Sequence, residues 1–216
     1  MLLLGSPAWA EQPAAHQAAL VVRHGDGAMT YAIVAFPEDE ISGMELLRRS
    51  GISLITVSFG GLGDAVCTLE GEGCGVGDCR KRVCQTGDPN SPFWQYFRQS
   101  SPGQWVAVPL GVSSAKVHDG DVDGWSWTGH DPGLPALTVD DVRARMGIED
   151  TALSLPNNGG SAAAIREFDA GGKLVTRSTS APVDSGAIVA GVAALVVLAG
   201  AGGLIVRRNR RLRRVA

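Results

Sequence analysis

Two apolar runs, 18–23 (AALVVR) and 29–36 (MTYAIVAF), flank the polar stretch His24-Gly25-Asp26-Gly27. Apolar runs on either side of an Asp-Gly turn predict a β-hairpin, and Pro37 closes it. The period then changes. From Ser42 the chain reads SGMELLRR, which predicts a short helix. Ser42 can cap it, Glu45 three residues on completes a capping box, and Gly51 supplies the stop. Residues 52–59 (ISLITVSF) are rich in β-branched side chains and predict a third strand. Hairpin, helix and strand in that order open an α+β domain.

Farther on, aromatic residues alternate with polar ones in FWQYF (93–97) and in KVHDGDVDGWSW (116–127). A strand's period of two puts Trp94 and Tyr96 on one face and Phe93 and Phe97 on the other, while Trp125 and Trp127 share a face. Four of the five tryptophans lie between positions 94 and 127. So dense an aromatic set serves either as core or as a platform for a flat ligand. Residues 139–146 (VDDVRARM) predict a short closing helix. The whole of 18–147 is expected to form one small α+β domain. From 148 to 186, Ser, Thr, Asn, Gly, Ala and Pro dominate without a strong period, which predicts a flexible stalk with one weak strand at 173–177.

The two ends set the expected address. Residues 1–10 (MLLLGSPAWA) read as the second half of a secretory signal peptide, with Ala8-Trp9-Ala10 as its cleavage motif and the basic segment expected upstream of Met1. Residues 187–206 are twenty positions without a charge. As a helix they would span about 30 Å, the thickness of a bilayer's hydrocarbon core. Residues 207–216 follow with six arginines, a stop-transfer cluster that predicts a cytoplasmic tail. The expectation is a single-pass protein of the cell membrane, with its N-terminal domain outside, its span in lipid and its tail inside.

Charge sharpens this picture. The net charge of −3 hides that six of the 19 basic residues sit in the tail, leaving 13 against 22 acidic residues in the rest of the chain. A body that acidic argues against nucleic acid as a partner. The four cysteines, Cys67, Cys74, Cys79 and Cys84, cluster in one glycine-rich stretch. In an exported domain an even, clustered set predicts two disulfides, with three connectivities open. A zinc site would favour the short C-x-x-C spacing, which is absent. DGDVDG matches the first half of an EF-hand loop, but His130 stands where the closing glutamate belongs, so a tight turn is expected there and no metal. His16, His24, His118 and His130 are scattered, and no nucleophile motif or phosphate loop accompanies them. The reading is of a protein that is not an enzyme and carries no cofactor.

In this order the hairpin, the helix ISGMELLRRSGI, the cysteine loop, FWQYF and GQWVAVPLGVSSAKVHDGDVDGWSW resemble the transcobalamin-like C-terminal domain family. That family is a β-grasp-like module of exported bacterial proteins, and the similarity covers roughly residues 18–130. The cysteine loop departs from the family's pattern. The resemblance implies a small β-grasp-like fold that binds a ligand, with Trp94, Tyr96, Trp105 and Trp125 lining the candidate face. Trp127 lies beside Trp125 on its strand. It further implies a membrane-anchored accessory of vitamin uptake, with a corrinoid-like small molecule and membrane transporter subunits as partners. The alternative is a cell-envelope protein–protein module that uses the same aromatics as interface anchors.

Overall fold

The computed structural model describes residues 15–148, 153, 155–156 and 160–175. The expected signal segment 1–10, the span 187–206 and the tail 207–216 lie outside the described residues. Among the described residues no helix is long and apolar enough to cross a membrane.

Strands β1 (His16–Arg23) and β2 (Met29–Phe36) form the expected antiparallel hairpin, in register from His16↔Phe36 to Arg23↔Met29. The short β3 (Glu40–Ser42) leads into helix α1 (Gly43–Arg49). Ser42 caps α1, and its box with Glu45 is complete in both directions. Ser42→Ala is expected to lower the unfolding free energy by about 1 kcal/mol. Urea titration checks this, and an unchanged midpoint would contradict a stabilising cap.

Strands β4 (Leu54–Ser58), β5 (Asp64–Leu69) and β6 (Glu72–Gly73) make a small antiparallel sheet, followed by α2 (Val76–Arg82). The long β7 (Phe93–Ser101) pairs with β8 (Gln104–Ala107). Strand β9 (Lys116–His118) pairs with β3, and a turn through Gly120 then leads into β10 (Val122–Thr128). Helix α3 (Val139–Met146) follows, where the sequence predicts it, and strands β11 (Ala162–Phe168) and β12 (Leu174–Val175) come last.

The main sheet has the order β12-β11-β2-β1-β10-β7-β8. Among the described strands its only parallel neighbours are β1 and β10, at the centre, from Ala19↔Val122 to Arg23↔Ser126. Alternation splits the core between the two faces. Leu20, Val22, Ala32, Val34 and Phe36 face α1 and the small sheet, while Ala19, Val21, Tyr31 and Ile33 face α3. The fold is thus a mixed, sheet-rich α+β domain with few helices.

Two features differ from the sequence-based expectation. The domain does not end at 147. Part of the expected stalk 148–186 is a strand, β11, laid along β2 from Ala162↔Ala35 to Phe168↔Met29, with β12 beside it. The run AAAIREF carries little β-propensity of its own, so its strand state comes from pairing with β2. The cysteine segment is also more regular than a loop. DAVCTL alternates well enough to form β5, which the small sheet then extends through β6.

Candidate functional site

Strand β5 of the small sheet lies over the β7 end of the main sheet, and a groove of about 230 Å³ runs between them. Its construction follows from strand alternation. Trp94 and Tyr96 project from β7, and Trp125 projects from the neighbouring β10, opposite Tyr96 in register. All three point toward the small sheet and form the inner wall. Val66 of β5 faces them, and Val108 and Val112 come from the loop between β8 and β9. That loop is fastened by Val108 N donating to Tyr96 O at 2.9 Å and Val112 N to Asp64 O at 3.0 Å.

Two apolar tips stand near the mouth. Leu110 lines the groove and is 56% exposed, and Leu62, on the loop after β4, is 78% exposed. The two loops meet at Gly111, where a Cβ would come within 2.4 Å of Leu62 O. Only glycine permits that approach.

Of the five rings singled out from the sequence, the structure brings four together. Tyr96 stacks on Trp125 with centroids 4.7 Å apart and planes 4° from parallel, and Trp94 tilts against Trp127 at 5.5 Å. Trp94, Tyr96 and Trp125 are 4%, 6% and 4% exposed, so each offers only a small part of its surface to the groove and buries the rest in the core. Trp105 is on the other side of the sheet. It packs against Gly124 among the side chains facing α3, and its indole donates to Pro135 O at 3.1 Å. It is separated from the other four because β8 continues the alternation of β7, which sets it opposite Gln99 rather than Arg98.

Beneath Tyr96 lies a buried charge. Asp123 is fully enclosed and accepts from Arg98 Nε at 2.7 Å, Arg98 Nη2 at 3.0 Å and the Tyr96 hydroxyl. Burial pushes the Asp123 carboxyl above the usual carboxylate range, against the pull of Arg98. Burial and the Asp123 charge raise Tyr96 as well, so its phenol keeps its proton and donates. The sequence set Asp123 in a run of acidic residues with Asp119 and Asp121. In the structure Asp119 accepts from Gln17 N at 2.7 Å and Asp121 from His118 N at 2.9 Å, while Asp121 also lies 3.6 Å from the Arg98 guanidinium that Asp123 holds.

The cysteines form two disulfides, Cys67–Cys79 and Cys74–Cys84, with Cα–Cα separations of 5.5 Å in each. This interleaved pairing fastens α2 to β5 and leaves no thiolate for zinc. One group without a signal in the sequence lies outside the groove lining, behind Trp94: His24, Glu70 and Glu72 meet beside that ring. Separations of 46 and 48 residues gave no local signal for it.

No protein-family model, no curated protein and no solved structure matches this chain.

Proposed function

We propose that the chain is a membrane-anchored, extracytoplasmic ligand-binding module whose groove grips one apolar edge of a larger molecule. The observation that carries this reading is the lining. Aromatic side chains and valines surround a cleft whose only lining carboxylate is Asp64, with no histidine or thiol in the lining to do chemistry. Such a surface suits binding rather than catalysis. A cleft of about 230 Å³ is below the roughly 300–1,000 Å³ that encloses a drug-sized ligand. A corrinoid-like molecule would therefore be held by its rim, with transporter subunits in the membrane completing the enclosure. The β-grasp-like reading draws support from the β2-β1-β10-β7-β8 order, the central parallel pair and the helix after the first hairpin. The address outside the cell draws support from the disulfides.

Titration of the full chain in detergent with hydroxocobalamin tests the proposal through tryptophan fluorescence. Saturable quenching is expected, because Trp94 and Trp125 border the groove. Ala107→Phe should weaken binding roughly tenfold, since it fills space for about two methylenes at about 0.8 kcal/mol each. Ala107 is exposed, so the fold should tolerate the change. Absence of quenching, or equal affinity in Ala107→Phe, would sink the reading.

A second reading has its own observation. The neighbouring exposed tips, Leu62 and Leu110, are the kind of anchors a protein partner in the cell envelope would bury. Under this reading, substituting both by serine abolishes capture of such a partner, and hydroxocobalamin does not quench the tryptophans of the unsubstituted chain.

A further inference from the structure

His24 follows the last residue of β1, and its ring stands between two carboxylates of the β5–β6 hairpin. Nδ1 lies 2.8 Å from Glu72 Oε2, and Nε2 lies 3.1 Å from Glu70 Oε2. A neutral imidazole has one N–H and one lone pair, so it can satisfy one of these oxygens and must turn its lone pair on the other. Only the doubly protonated ring donates to both. The contacts are built for an imidazolium.

The two carboxylates are themselves held in place. The Glu70 side chain is 3% exposed and accepts from Thr30 Oγ1 at 2.6 Å. Glu72 accepts from Gly25 N at 3.1 and 3.2 Å. Glu70 occupies the first position of a two-residue turn with φ +51°, followed by Gly71 at φ +89°. Glycine, asparagine and aspartate favour such a turn, and a glutamate there goes against local preference. Its carboxylate reaches the His24 ring.

The ring reaches the groove only through Trp94, which lines it. Trp94 meets His24 edge-on with centroids 5.6 Å apart, and the Trp94 indole donates to Glu72 O at 2.9 Å. We propose that protonation of His24 is a latch that pins the β5–β6 hairpin to the main sheet at Trp94, and that loss of this proton frees the hairpin and slackens the groove. The consequence for binding rests on the groove reading above; the latch does not.

The charged groups facing the ring are Glu70 and Glu72 from the β5–β6 hairpin. From β2 it meets the neutral Thr30 hydroxyl by way of Glu70, and from β7 the neutral Trp94. Asp26 in its own turn is occupied by Ala28 N at 2.8 Å. Burial works against charging the ring, but the hydrogen bonds and charges of both glutamates outweigh it and raise its pKa above 6.5. The sign follows. A raised pKa means the stabilisation is whole below 6.5 and is lost as pH climbs through the folded-state value.

Hydrogen exchange of the Trp94 indole in the full chain in detergent, followed from acid to alkaline pH by NMR, tests this. After correction for intrinsic exchange, the opening equilibrium should rise by about tenfold for each unit by which the His24 pKa is raised. His24→Gln should remove that dependence. Should His24→Gln fail to fold, Glu70→Gln should instead lower the His24 ring titration seen by NMR. A pH-independent opening equilibrium, the same pH dependence in His24→Gln, or an unmoved His24 titration in Glu70→Gln would overturn the latch. If hydroxocobalamin fails to bind at any pH while the indole still opens with pH, the groove reading falls and the latch stands.

Discussion

Asp123→Ala is expected to destabilise the domain by about 3–5 kcal/mol, the loss typical when one partner of a buried ion pair is removed. The wild-type arrangement has no slack. Asp123 is 0% exposed at the centre of the main sheet and is the acceptor for the Arg98 fork and the Tyr96 hydroxyl. Without it the buried Tyr96 hydroxyl loses its acceptor, and the partly buried Arg98 fork keeps only Asp121, at 3.6 Å, as a carboxylate partner, each at a desolvation cost. Arg98 also donates to Lys116 O, so the β9 segment should loosen with it. Asp123→Asn keeps the shape and one acceptor oxygen and should cost less than Asp123→Ala. The double change Arg98→Met with Asp123→Leu should cost less than Asp123→Ala alone, because it leaves no stranded charge. Urea unfolding of the four proteins decides the matter, and a loss under about 1 kcal/mol for Asp123→Ala would contradict a dry, paired site.

The second large effect is at the cystines. Removing Cys67–Cys79 by the double change to alanine is expected to cost about 3 kcal/mol, the loop-closure value for a bridge of this span. The sequence separation is 12 residues, and the Cys74–Cys84 bridge, of separation 10, interleaves with it. The small sheet needs these bridges because its own core is slight: Val57, Cys67 and Cys79 are its buried members. Fully reduced protein should therefore lose the β4–β6 region first, and with it the outer wall of the groove. Limited proteolysis with and without reductant checks the order of loss. A cleavage pattern unchanged by reduction would show that the sheet stands without its staples.

What could be read from the sequence was what local chemistry encodes. Ser42, Glu45 and Gly51 marked α1, because a capping box and a helix stop are complete within ten residues. The His24–Gly27 turn marked the hairpin, and alternation put Trp94 with Tyr96 and Trp125 with Trp127 on the sides they occupy. What could not be read was what depends on distant pairing. Nothing local brings Ala19 beside Val122, and that central parallel contact orders the main sheet. Strand β11 escaped because alanines do not announce a strand. Trp105 was grouped with the other rings because its face is set by the β7–β8 register, including an irregularity between Gln99 and Ser101. The cysteine spacing fitted three pairings equally, and the choice among them is made by how β5 packs on α2.

The groove is the central claim, and residue-resolved NMR of the full chain during a hydroxocobalamin titration tests it most directly. The account predicts saturable shifts confined to Val66, Phe93, the Trp94 indole, Leu110 and Val112. Shifts centred on Trp105 and Leu134, on the face toward α3, or none at all, would contradict it.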